Sequence, residues 1–271
     1  MVELQVRGTR FHVQRLGSGK PTVVFLHGLV MDNLSSWYFT LANPVAREAT
    51  VLLYDLRGHG FTERTARGYR LQDMVADLAG VLRAAGLWDR PVTLVGNSFG
   101  GLLAVAFALD HPEHVDRMVL IDAQVSDSNW SSEMERTLGL EGEERDRMIV
   151  ERFKHWLGRH SERKRNRLIR VAHALVNETS LVEDLKGAPV FTRDQLMSIR
   201  CPVLALYGEQ SDMRSGGERL ARSLPNCEMH VFPGCTHSLL WEATTKVRTR
   251  VLEWLASTKL GLEPPSAAAT L

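Results

Sequence analysis

Short apolar runs separated by segments of helical period dominate the chain. The stretches "TVVFLHG", "TVLLYDLRG", "VTLVGN", "VDRMVLIDA" and "PVLALYGE" are almost continuously hydrophobic over strand length, the pattern of strands buried on both faces. Between them, Leu71 to Ala85 and Gly101 to Leu109 have helical spacing. Strands alternating with helices predict a parallel sheet with helices on both sides, an α/β architecture. Ahead of these, "VELQVRG" and "RFHVQRLG" alternate polar and apolar residues and predict two half-buried antiparallel strands.

Between Asp127 and about Ser198 the strand signals stop. Apolar positions at Ile149, Phe153 and Trp156, and at Leu168, Ala172 and Leu175, recur every three or four residues and predict amphipathic helices. Residues 127–198 therefore read as a helical lobe inserted into a core made of 1–126 and 199–258. "CEMHVFPG" is the last strand, with a helix from near Ser238 through Trp254; residues 259–271, with two prolines and many small side chains, read as a frayed tail.

Composition narrows the function classes. With 33 basic against 32 acidic residues and a formal charge of +1, the chain has no field to steer a polyanion, so neither nucleic acid nor an anionic membrane is expected as a partner. "MVELQVRGTRFHV" lacks the apolar run of a secretory signal, and the longest apolar run, Leu102 to Leu109, is too short to cross a bilayer. A cytoplasmic monomer or homodimer is expected. Cys201, Cys227 and Cys235 are odd in number and read as reduced thiols. Cys227, His230, Cys235 and His237 can be written as a zinc set, but they fall on an expected strand and loop, and neither metal nor cofactor is expected. "GSGKPT" fails as a phosphate loop because Pro21 stands where a hydroxyl residue belongs. The arginines between 159 and 170 read as a solvated helix face.

The chemistry concentrates around "VTLVGNSFGG". Gly96-Asn97-Ser98-Phe99-Gly100 fits G-x-S-x-G between an apolar strand and a helical segment, where a sharp turn lifts the serine hydroxyl above the sheet and crowds the flanking backbones. A serine needs a base, and the base needs an orienting acid. His237, in the loop after the last strand, is the expected base. The expected acid is Asp212, at the carboxyl end of the strand 202 to 207, with Asp122, which closes "MVLIDA", and Glu209 as alternatives. Backbone N–H groups at Leu29, in the turn after the third strand, and at Phe99, directly after the serine, are expected to hold an oxyanion. His27 reads as a core histidine bonded to the loop backbone.

These residues resemble the α/β-hydrolase fold superfamily over about Val2 to Ala256. "HG" at 27 and 28, "DLRGHGFT" at 55 to 62, "GNSFGG" at 96 to 101, "YGEQSD" at 207 to 212 and "PGCTHS" at 233 to 238 occur in the family's order. The resemblance implies a mostly parallel eight-stranded sheet, a helical cap at 127–198 that shapes the substrate pocket, and structural roles for Asp55 and Arg57. "GNSFGG" is similar to the segment of carbon–carbon bond hydrolases acting on ring-cleavage products. The glycine-rich oxyanion loop of that subgroup is replaced by "HGLVMDNLSSW", so cleavage of a small-molecule ester or thioester through an acyl-enzyme is the main expectation. A cofactor-free carbon–carbon hydrolase or lyase is the alternative, and a small-molecule receptor on the same fold is the alternative from another class. Loop position alone nominates Val30, Met31, Asn97, Trp130 and Leu239 as substrate contacts.

Overall fold

The computed structural model of the protein describes residues 2–124 and 162–257, together with Gly142, Glu144 and Arg147. Eight strands form one sheet: β1 Val2–Val6, β2 Thr9–Leu16, β3 Thr22–Leu26, β4 Thr50–Tyr54, β5 Val92–Asn97, β6 Val115–Ile121, β7 Val203–Gly208 and β8 Cys227–Phe232, in the order β1-β2-β4-β3-β5-β6-β7-β8. β2 pairs antiparallel with both β1 and β4; every other pairing is parallel. The apolar runs predicted as strands are these central strands, and all residues of β4 and β7 are buried.

Alternation along each strand feeds two cores. Val24, Leu26, Leu94, Leu120 and Ala205 point to one side, where they meet the helices Leu71–Ala84 and Phe99–Asp110. Val23, Phe25, Val95, Ile121 and Leu206 point to the other, against Trp37, Leu41 and the helix Thr244–Ser257. A period of two therefore divides each strand between the layers. The helix expected from Ser238 through Trp254 is two pieces, Leu239–Glu242 and Thr244–Ser257, broken at Ala243, whose backbone leaves the helical region.

Helices Glu162–Asn177, Leu181–Lys186 and Arg193–Ser198 follow β6 and precede β7. The first carries the predicted apolar stripe, with Ala172 and Leu175 buried. Trp130, Ile149, Phe153, Trp156 and the tail lie outside the described residues. Among the described residues no helix is long and apolar enough to cross a membrane.

The chain runs from β3 outward to β4, then returns to place β5 on the other side of β3. That reversal opens a crevice at the carboxyl ends of β3 and β5. Ser98 follows β5 there.

Candidate active site

Ser98 sits between β5 and the helix Phe99–Asp110 with φ 52° and ψ −121°, a sparsely populated conformation that holds its side chain clear of both elements. The surrounding backbone is too close for side chains. A Cβ at Gly96 would collide with the carbonyl of Gly100, and one at Gly100 with the carbonyl of Leu26. The glycines of the motif thus answer to crowding at this turn.

His237 reaches over from the loop after β8. Its Nε2 stands 3.1 Å from Ser98 Oγ, and its Nδ1 stands 2.6 Å from Asp122 Oδ2. Asp122 directly follows β6, has φ 46° and is fully buried. It also accepts from the Gly208 N–H at 2.9 Å and from the Ser211 hydroxyl at 2.5 Å. With three donors aimed at this carboxyl, Nδ1 carries the ring proton and the Nε2 lone pair faces the serine hydroxyl.

The acid expected at Asp212 is corrected by this geometry. The carboxylate on Nδ1 is that of Asp122, and Asp212 is exposed in the loop after β7. The reason lies in the parallel pairing of Ile121 with Leu206, which brings the ends of β6 and β7 side by side. At that shared edge the buried Asp122 meets the imidazole, with the buried Ser211 bonded to its carboxylate. The Ser211 hydroxyl accepts the Met213 N–H at 3.1 Å and donates to the acid, which it braces.

The loop after β3 lies across the serine. A methyl group at Gly28 would stand 3.4 Å from Ser98 Cβ. The Gly28 N–H donates to Asp32 at 2.9 Å, and the Val30 N–H to His59 Nε2 at 2.8 Å. The Leu29 amide between them, and the Phe99 amide at the first turn of its helix, have no hydrogen-bond partner among the described residues. Leu29 follows Gly28, which packs against Ser98, and Phe99 follows Ser98 directly.

Two histidines hold this loop without facing substrate. His27 donates from Nδ1 to the Gly28 carbonyl at 2.7 Å and accepts the Leu56 N–H at 2.9 Å. His59 donates to the Arg57 carbonyl at 2.8 Å, and burial pushes its imidazole down to about 3, so it stays neutral and keeps Nε2 as an acceptor. Val30, at φ 69°, is a β-branched residue in left-handed backbone, an unusual state that the His59 bond helps to fix. His59 was not singled out in the sequence; "GHG" in "DLRGHGFT" was its only signal.

The substrate-contact expectations divide. Val30 and Met31 line a cavity whose wall does not include Ser98, and Asn97 is half-buried at the end of β5, directly before the serine. Leu239 is corrected: it is fully buried in the core cluster with Val95 and Ile121, and presents no surface to a ligand. Trp130 lies outside the described residues. Asp55 accepts from the Leu34 and Phe61 amides, and Arg57 forms a two-pronged pair with Asp77 at 2.7 and 2.8 Å. His237, written into the zinc set, is occupied by Ser98 and Asp122. Burial pushes the Cys201 and Cys227 thiols up to about 11 and about 12, which leaves them poor nucleophiles at neutral pH.

Comparison with known proteins agrees with this architecture. The sequence profile of the α/β hydrolase fold matches residues 21–244. A 2-hydroxy-6-oxononadienedioate/2-hydroxy-6-oxononatrienedioate hydrolase of Paraburkholderia phymatum is 31% identical over 265 residues, 91% of each chain. A 2-hydroxy-6-oxo-2,4-heptadienoate hydrolase of Pseudomonas putida is 40% identical over 119 residues, 43% of this chain and 42% of the relative. Among solved structures, an esterase of Exiguobacterium antarcticum superposes with a TM-score of 0.78 at 21% identity, covering 94% of this chain and 98% of the other. The ordered motifs, the sheet order and these matches agree, and the chain belongs to the α/β-hydrolase fold family.

Proposed function

We propose that the protein is a serine hydrolase that cleaves the carbon–carbon bond beside the ketone of a 2-hydroxy-6-oxo-dienoic acid. The observation that carries the chemistry is the chain of hydrogen bonds from Ser98 through His237 to Asp122, together with the amides of Leu29 and Phe99, unengaged among the described residues. The substrate class comes from the relatives. Their named compounds are acids bearing a hydroxyl and a ketone but no ester. Water can hydrolyse such a skeleton only by breaking a carbon–carbon bond next to the ketone. The alternative read from the sequence therefore displaces the ester or thioester as the main reading.

In the proposed reaction the 2-hydroxy group first becomes a ketone, its proton passing to C5, so that an electron sink lies in conjugation with the bond to be broken. His237 Nε2 takes the Ser98 proton as Oγ adds to C6, and the Leu29 and Phe99 amides receive the oxyanion. The C5–C6 bond then breaks. Its electron pair passes to C5 and into the 2-oxo system, and the His237 imidazolium returns a proton to that fragment. Water, activated by His237, releases the acyl group as a carboxylic acid. Asp122 holds the ring and stabilises its charged form. Helix Glu162–Asn177 and its neighbours act as the cap in this reading.

Ester hydrolysis is the second reading, favoured by the loop "HGLVMDNLSSW", which lacks the glycine run of the carbon–carbon subgroup. Supplying 2-hydroxy-6-oxohepta-2,4-dienoate separates the two. Carbon–carbon cleavage yields acetate and 2-hydroxypenta-2,4-dienoate in equal amounts, with loss of the substrate's longer-wavelength absorbance, which depends on conjugation through the 6-ketone. An intact dienoate beside rapid cleavage of short nitrophenyl esters would establish the second reading instead.

A further inference from the structure

A cavity of about 460 Å³ has a lining that includes neither Ser98 nor His237. Strand β2, the loops after β3 and β4, and the helix Glu162–Asn177 enclose it. Along β2, Phe11 belongs to the core, so the neighbouring His12 leans the other way and forms part of the cavity wall.

His12 is 4% exposed, and its Nδ1 lies 2.7 Å from Asp55 Oδ2. Asp55 also accepts the Leu34 N–H at 2.8 Å and the Phe61 N–H at 2.9 Å. An ionised carboxylate can only accept, so His12 Nδ1 carries the ring proton and donates it to Asp55 in a hydrogen bond, which leaves Nε2 as a bare acceptor. That Nε2 is buried and has no hydrogen-bond partner among the described residues. An unmade hydrogen bond in such a place is costly. Burial and hydrogen bonds act oppositely on Asp55, and the bonds prevail, keeping its carboxyl below the usual range and ionised.

The cavity rim is apolar in an unusual way. Phe39 and Phe61 both line it and are 73% and 62% exposed. The Phe61 ring stands edge-on to the His12 imidazole, with centroids 5.2 Å apart and planes at 82°. It is exposed enough to turn aside and open His12 to an occupant. Arg167 from the helix stands at the same rim, its guanidinium carbon 5.8 Å from the Phe61 centroid.

We propose that this cavity is a second ligand site for a small phenol, whose hydroxyl donates to His12 Nε2 while its ring packs against Phe39 and Phe61. The site is separate from Ser98 and does not depend on which bond Ser98 cleaves. Val30 and Met31 in its wall continue from Leu29, so occupancy bears on the loop that carries the oxyanion amide.

The test is a titration of the full-length protein, with ¹⁵N-labelled histidine, by phenol and separately by toluene, which has the same shape without the hydroxyl. Phenol is expected to shift the His12 Nε2 resonance saturably and to bind about tenfold more tightly than toluene, the value of one hydrogen bond. His12→Phe should abolish that preference. Phe61→Ala, at an exposed position, should weaken both ligands and provides the contrast if His12→Phe does not fold. No saturable shift at His12, equal affinity for toluene, or a shift at His237 in place of His12 would each overturn the proposal.

Discussion

His237 Nδ1 meets Asp122, at the end of β6, at 2.6 Å. An asparagine at 122 keeps the shape but offers Nδ1 an amide in place of a carboxylate, favouring the wrong tautomer. Asp122→Asn is expected to lower kcat about ten-thousandfold, as in other triads, whereas Asp212→Asn, at an exposed position, should change it about twofold at most. Steady-state rates for the two variants decide this; a large loss only at 212 would restore the rejected acid.

Ser211 donates to the same buried carboxylate at 2.5 Å. Ser211→Ala removes one donor from a charged group with no access to solvent, a change of about 2 kcal/mol. Chemical denaturation should show that loss, and kcat should fall far less than in Asp122→Asn.

His59 makes stability depend on pH. Its folded value is about 3, against about 6.5 when unfolded. Between these limits the unfolded chain binds the extra proton, so stability falls as pH drops below about 6.5, by up to about 1.4 kcal/mol per unit. Asp55, whose carboxyl is held low, adds to acid sensitivity only below about pH 4. Urea midpoints from pH 7 to 4 should therefore decline in wild type and flatten in His59→Gln, which retains an acceptor near the Val30 amide. An unchanged slope in the variant would remove His59 as the cause.

Leu239→Ala separates packing from recognition. The side chain is fully buried against the sheet, so its truncation should cost about 2–5 kcal/mol of stability and leave KM unaltered. A raised KM at unchanged stability would return Leu239 to the substrate site.

The fold was legible because five apolar runs alternating with helical segments admit few other arrangements, and Ser98 was legible because its glycines sit between a strand and a helix. The acid was not. Asp122 and Asp212 follow adjacent parallel strands, and the register that pairs Ile121 with Leu206 and brings those two strand ends together is not encoded in residue spacing. Leu239 failed for a related reason: loop position says which end of the sheet a residue occupies but not whether it faces the cleft or the core. The His12 cavity was invisible because residues 12, 30, 61 and 167 meet only in three dimensions.

The most direct test of the central claim is the rate of acetate release from 2-hydroxy-6-oxohepta-2,4-dienoate by wild type and Ser98→Ala, beside a matched acetyl ester. Wild type is expected to cleave the dienoate efficiently, at a higher kcat/KM than the ester, and Ser98→Ala to lose nearly all of that activity. Acetate released equally by both proteins, or only from the ester, would contradict it.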